Sequence, residues 1–270
     1  MQVAVHIFGV ALFGMLVSSG QVVASKPTAP VTSSLCSAEA KVGVVAGWPP
    51  LTSVSEAGVA EGLDIEIAKM VFKQAGICIE FVRLPSAARS FAQLTKGVVD
   101  VVLMVSYTFK RKQWGLFTLP YRTERMRLFS LKPPDSVYSL RALLSAETTI
   151  GLSIGSYYGE EIKSLANNER FGNQFIGIST IQRRIELLAK ERVDFIIEDE
   201  IVGNYLTQKY SNKPIYIWAY PVHDNEVHFL LRKDKFTPAQ RRYIDQAIVA
   251  LRPSIQNLVE QYRKQQPSPD

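Results

Sequence analysis

The run Gly97-Val98-Val99-Asp100-Val101-Val102-Leu103-Met104-Val105-Ser106-Tyr107-Thr108-Phe109-Lys110-Arg111 decides the fold. From Val98 to Val105 it is nearly continuously apolar and rich in β-branched side chains, which predicts a strand buried on both faces of a parallel sheet. Gly97 and Asp100 bracket its start. It ends in the hydroxyls of Ser106, Tyr107 and Thr108, then in Lys110, Arg111 and Lys112, with Trp114, Phe117 and Pro120-Tyr121 beyond. Open α/β sheets bind ligands beyond the carboxyl ends of their strands. Arg111 supplies a planar fork of donors that suits a carboxylate. A basic surface turn after a core strand is the other reading of the same residues.

Toward the N-terminus, Pro85-Ser86 opens a helix with Ala88, Phe91 and Leu94 inward, closed by Gly97. Before it, Ile77 to Leu84 reads as a strand. Leu63 to Ala75 has helical periodicity, with Leu63, Ile67, Met70 and Val71 on one face. Asp64 and Glu66 in its first turn suit the helix dipole, and Gly76 is placed to stop it. Lys41 to Ala46 is a short strand that cannot continue through Gly47-Trp48-Pro49-Pro50-Leu51, where two prolines remove backbone donors. Trp48 is there either a core plug or an aromatic wall facing a ligand. Strand, helix, strand, helix, strand implies a parallel sheet with right-handed crossovers.

Toward the C-terminus, Met126 to Lys132 reads as a strand, and Leu140 to Leu144 leads to the apolar run at Ile150. Gly155-Ser156-Tyr157-Tyr158-Gly159 then opens a helix from Glu160 to about Asn167, as an anion nest or as an ordinary strand-to-helix turn. Its spacing is not that of a Walker loop. Phe175 to Ile178 is a strand, and Ser179 or Thr180 caps a helix with Ile181, Ile185, Leu188 and Ala189 inward. Phe195 to Ile197 is a strand ending in Glu198-Asp199-Glu200, either a solvated edge or an acid facing a cationic group. This helix, turn and strand repeat the layout of Leu94 to Ser106, so the chain holds two α/β units. Tyr216 to Tyr220 and Val227 to Arg232 read as separate strands, with His223, Asp224 and Glu226 in the loop between. Thr237-Pro238 starts a final helix to about Arg263, with Ile244, Ile248, Leu251, Ile255 and Leu258 inward and a kink or break at Pro253.

The chain has 270 residues, 47% hydrophobic and 21% charged, enough for one large or two ordinary domains with their own core. The net charge of +6 is spread without a run of five Lys/Arg, which argues against a nucleic-acid arm and leaves a mild bias toward anionic ligands. Met1 to Ala24 lacks Asp, Glu, Lys and Arg. Its apolar run and the small residues Val22 and Ala24 predict a signal peptide at 1–24. A Pro/Thr/Ser-rich leader at 25–36 follows, ahead of a soluble exported protein. If the first two strands are parallel neighbours, Cys36 and Cys78 lie near one sheet edge. A Cys36–Cys78 disulfide then fits an oxidising compartment, the alternative being two separate thiols. His6, His223 and His228 are not spaced for ligation with these cysteines, so no metal site and no cofactor are expected.

Taken together these residues resemble the family 3 extracellular solute-binding proteins, the periplasmic amino-acid receptors of ABC uptake transporters. The resemblance runs from about Lys41 to Arg263. It rests on Trp48 to Leu51, Gly62 to Ala68, Gly97 to Asp100, Ser106 to Arg111, Phe117 to Tyr121, Gly151 to Ser156 and Asp194 to Glu200, in that order and spacing. It implies a two-lobed α/β fold, the type II periplasmic binding protein fold, with two crossover hinge strands near Met126 to Leu131 and Val227 to Leu231. Lobe 1 would comprise 37–126 and 228–265, and lobe 2 would comprise 127–227. By the same resemblance Arg111 clamps a ligand carboxylate with Ser106 and Thr108 beside it. Trp48 walls the ligand, Ser156 and Tyr157 form the second-lobe turn, and Asp199 receives an ammonium group.

Two departures stand out: Gly47 occupies a position where several basic-amino-acid binders have an acid, and Met104 one where many members have a serine. Tyr157 adds bulk to a turn that is usually small. The expected partners are a small-molecule ligand and the membrane permease of an ABC transporter, with a monomeric, periplasmic protein and no nucleic acid. The alternatives are a dehydratase-like enzyme on the same scaffold and an orphan sensory protein. The enzyme reading is disfavoured because strand alternation directs Glu198 and Glu200 away from the face used by Asp199.

Overall fold

The computed structural model describes residues 36, 38–134, 139–210 and 213–264. The expected signal peptide and leader lie outside them, Cys36 apart. The chain begins with β1 (Ala38–Val45), the short strands β2 (Ser53–Val54) and β3 (Ala60–Glu61), α1 (Leu63–Gln74), β4 (Ile77–Leu84), α2 (Ala87–Thr95), β5 (Val101–Ser106) and α3 (Phe109–Lys112). β1 pairs in parallel with β4 and with β5, Val42 lying opposite Phe81 and Val101. This is the arrangement the alternating helices and strands require, since parallel neighbours need a crossover. Glu39 lies opposite Cys78, so the residues ahead of β1 run past that cysteine, and Cys36 and Cys78 form a disulfide with a Cα separation of 5.4 Å.

The second half repeats the plan with α4 (Leu140–Ser145), β7 (Ile150–Ser153), α5 (Gly159–Ala166), β8 (Phe175–Ile178), α6 (Ile181–Ala189), β9 (Phe195–Asp199) and α7 (Glu200–Tyr210). β7 is the parallel partner of both β8 and β9. Two long strands, β6 (Leu116–Ser130) and β10 (Tyr216–Leu231), tie the halves together. They pair with each other antiparallel, β10 also with β5 and β6 also with β9. Among the described residues eight strands thus form one mixed sheet, in the order β4-β1-β5-β10-β6-β9-β7-β8. The result is a two-lobed α/β fold with two crossover strands. The last helix, α8 (Pro238–Lys264), returns to the first half, where Ile244, Ala247, Ile248, Ile255 and Val259 join the core cluster that includes Ile65 and Phe72.

Four sequence expectations change. His223, Asp224 and Glu226 are not in a loop: they pair with Met126, Arg125 and Thr123 in the crossover ribbon. A register shift between Trp218 and His223 interrupts the alternation that marks a strand in sequence. Glu200 starts a helix, because the Asp199 carboxylate accepts from the amide of Ile201 at 2.8 Å and caps it. Ala88 is exposed, and α2 buries Ser90 and Leu94 instead. α8 is one helix through Pro253, so the chain does not divide there. That proline lies on the exposed face, and the carbonyl it leaves unpaired belongs to Val249, 53% exposed, so solvent satisfies it.

Candidate functional site

The carboxyl end of β1 is held by a tight turn. Trp48 and Thr52 exchange backbone hydrogen bonds at 3.1 and 2.9 Å, and the Thr52 hydroxyl donates to the Val45 carbonyl at 2.9 Å. This turn also caps the start of α1. The first amides of the helix, those of Leu63 and Asp64, donate to the carbonyls of Pro50 and Leu51 at 3.0 Å each. The backbones approach so closely that a Cβ on Gly62 (φ +118°) would stand 2.5 Å from both carbonyl oxygens. Glycine is therefore required at that position, and through it α1 fixes where Trp48 stands.

Arg111 is placed by the short helix after β5. The Thr108 hydroxyl accepts from the Arg111 amide at 3.1 Å as an N-cap. The guanidinium donates through Nη1 to the Ser106 carbonyl at 3.1 Å and through Nη2 to the Gly155 carbonyl, in the other half, at 3.2 Å. It lies over the Phe91 ring at 5.0 Å. No carboxylate among the described residues pairs with it, and burial lowers its affinity for its proton. Gly155 (φ +87°) meets α2, and a Cβ there would stand 3.2 Å from Ala88. The exposed Ala88 thus serves close contact between the halves.

Across the cleft the acids gather on β6 and β9. Asp64 holds Nε and Nη2 of Arg122 at 2.9 and 2.8 Å, and it also accepts from the Tyr121 hydroxyl. Burial works to lower the Arg122 guanidinium, but the Asp64 carboxylate outweighs it and holds the group well above its ordinary value. Its third nitrogen, Nη1, makes no hydrogen bond and lies 3.7 Å from Asp199. Burial raises the Asp199 carboxyl, opposed by Arg122 and the Ile201 amide. Glu124 is 9% exposed and has no hydrogen-bond partner among the described residues. Burial, then the nearby Asp199 charge, push it up to about 8.

Phe91, Arg111, Glu124 and Asp199 line one cavity of about 90 Å³. Of the residues expected from sequence, Trp48, Ser106, Arg111, Ser156, Tyr157 and Asp199 line it together. Thr108 does not, its hydroxyl being used as the cap. The Tyr157 hydroxyl donates to Glu160 in the first turn of α5 at 3.0 Å, and its ring meets His223 edge-on. Met104 also lines the cavity, at φ 55° where β5 bulges against β10. Its amide donates to the Tyr121 hydroxyl at 3.1 Å.

The model of the bacterial extracellular solute-binding proteins, family 3, matches residues 40–265. The chain belongs to that family. None of the curated proteins compared matches this solute-binding protein. Among solved structures it is similar to an ancestral arginine-binding protein bound to arginine, at 22% identity and a TM-score of 0.69 over 83% of this chain and 97% of the other. An ancestral amino acid-binding protein, a precursor of cyclohexadienyl dehydratase, gives 19% and 0.68 over 84% and 96%. A histidine kinase sensor domain with similarity to periplasmic binding proteins gives 19% and 0.69 over 82% and 94%. At these identities the likeness is one of fold.

Sequence reasoning did not find Arg122 and Glu124. Their signal was present: Arg122, Glu124, Met126 and Leu128 alternate along β6 and are all buried, so two charges share a strand face with two apolar residues. The expected orientation of Glu198 also changes. It lines the cavity beside Asp199, with one carboxylate oxygen held by the buried Arg184 of α6 and the other accepting from the Asp199 amide at 3.2 Å. At the strand end, where the chain turns into α7, strict alternation no longer governs direction. Among the described residues no group of His, Cys, Asp and Glu is arranged to hold a metal ion.

Proposed function

We propose that this solute-binding protein captures a small amino acid or close relative between its lobes and delivers it to the permease of an ABC transporter. The observation that carries this is the state of Arg111. It is a buried-side guanidinium stacked on Phe91, bonded only to carbonyls, in a cavity whose opposite wall is acidic. Such a site lacks a carboxylate at one end and an ammonium at the other, which a zwitterion supplies. Arg111 and Ser106 form the carboxylate pole, with Ser156 and Tyr157 completing it from the second lobe. Trp48 walls the ligand, and Asp199 belongs to the ammonium pole. The lobes are assigned as 37–126 with 228–265 and as 127–227, and residues 1–24 as a signal peptide that sends the protein to the periplasm, where it acts as a monomer.

The test is a thermal-shift screen of the twenty L-amino acids and small carboxylates. Binding at a hundredfold excess over the dissociation constant stabilises the folded protein by about 2.7 kcal/mol. The reading expects a shift that Arg111→Ala and Asp199→Ala each reduce. Undiminished shifts in both variants sink it.

A further inference from the structure

The cleft contains one more acid than the protein compensates. Arg184 engages Glu198. Arg122 is held by Asp64 through two nitrogens and turns only its third toward Asp199. Glu124 receives no hydrogen bond from any described residue, although it is buried and lines the cavity between Arg111 and Asp199. A buried carboxylate left without donors is unstable in that form. Behind that wall, 3.7 Å from Asp199, Nη1 of Arg122 is also buried without a hydrogen-bond partner.

We propose that Glu124 is a second acceptor for the ligand's ammonium group, and that it accepts by giving up its own proton, so that capture is linked to pH. The inference rests on the zwitterion reading above and names a residue and a proton that the reading does not contain. In the free protein one proton serves the Glu124–Asp199 pair. Asp199 keeps the charge, because the Ile201 amide at 2.8 Å and Arg122 at 3.7 Å both favour its ionised form. Glu124 keeps the proton, for want of any such donor. When an ammonium enters, the O–H bond of Glu124 breaks and its proton leaves to water. An N–H of the ammonium then donates to the carboxylate that forms. No oxidant, metal or further reactant takes part.

The groups that face Glu124 agree with this assignment. From its own strand comes Arg122, from α1 Asp64, from the end of β9 Asp199 and Glu198, and from α3 the field of Arg111. Opposite it on β10 is Asn225, whose amide nitrogen is buried without a partner, and two residues before that His223. Burial lowers the His223 imidazole, which weakens its hold on a proton. Asp199, Glu198 and Asp64 hold the proton on Glu124, Arg122 opposes them without a hydrogen bond, and an incoming cation reverses the balance.

The experiment uses an equimolar mixture of the twenty L-amino acids as probe, with wild type and Glu124→Gln compared at about pH 6 and about pH 8. Each thermal shift is measured against the same protein without the mixture at the same pH. The wild-type shift is expected to grow with pH, reflecting an apparent affinity that rises by up to about tenfold per pH unit below the Glu124 titration. The Glu124→Gln shift is expected to be the same at both pH values. A Glu124→Gln protein that retains the wild-type pH dependence overturns the proposal, because another acid then carries the proton. A wild-type shift that does not change with pH overturns it while leaving the zwitterion reading intact. No wild-type shift at either pH overturns both. Calorimetry of the wild type with the same mixture, in phosphate and in Tris near pH 7.5, needs no variant. Net proton release supports the proposal, and its absence refutes it.

Discussion

Arg111 and Arg122 stand eleven residues apart, one lining the cleft and the other buried behind it beside Asp199, and the chain treats them oppositely. Arg122 is fully buried and spent: Asp64 holds it through two nitrogens, and the pair raises its hold on its proton. Arg111 has only two carbonyls and an aromatic face, and burial weakens its hold. One guanidinium is part of the fold and the other is held ready. The contrast shows how a chain carries several charges into one cleft. A charge whose partner is built in stabilises position, and a charge whose partner is left out selects what enters.

The largest expected effect tests the built-in half. Arg122→Leu leaves Asp64 and Asp199 buried without a cation and should cost about 3–5 kcal/mol in urea unfolding. A loss under about 1 kcal/mol would mean that the Asp64–Arg122 pair holds nothing together. Next comes the uncommitted half. Arg111→Ala should change unliganded stability little, since no acid loses its partner, but should abolish the roughly 2.7 kcal/mol of stabilisation given by saturating amino acid. If it unfolds the protein as readily as Arg122→Leu, the distinction between the two arginines fails.

A smaller effect appears in the pH dependence of the unliganded protein. The Glu124 carboxyl, at about 8 in the fold against about 4.5 in the free residue, binds a proton in the native state that the unfolded chain has lost. Its favourable share is complete below the unfolded value and disappears as pH rises through the folded one. Stability should therefore fall by up to about 1.4 kcal/mol per pH unit between roughly 4.5 and 8. Denaturation curves across that window should flatten in Glu124→Gln, and parallel curves for the two proteins would remove Glu124 from the account. The smallest effect is at Phe91. Replacing it with leucine removes the ring beneath Arg111 and should weaken binding by about 0.5–1 kcal/mol. An unchanged titration would show that the carbonyls alone orient the guanidinium.

Much of this was legible from residue pattern. The β-branched run into Ser106 gave β5, the caps at Thr180 and Thr237 marked helices, and the family resemblance, not the pattern itself, brought Trp48, Arg111 and Asp199 to one cleft. What escaped was set by tertiary context. Glu198-Asp199-Glu200 reads as a solvated run of acids, because nothing local reveals that Asp199 will cap a helix or that Arg184 will arrive at Glu198 from α6. The stretch Tyr216 to Leu231 reads as two strands with a polar break, because a register shift hides its period. Glu124 escaped for a similar reason: a lone acid among Arg, Thr and Arg looks solvent-facing until its alternation with Met126 and Leu128 is counted.

The crossover ribbon also sets the order in which a growing chain can find its structure. β5 receives its antiparallel neighbour only when β10 has been made, and Arg232 reaches back across 132 residues to Asp100. The Tyr262 hydroxyl on α8 meets Glu66 on α1 across 196 residues. The residues from Leu140 to Tyr210, by contrast, find most of their neighbours among themselves. A nascent chain therefore leaves one edge of β5 unpaired until β10 emerges. Such long-range closure slows folding and exposes sheet edges in the meantime.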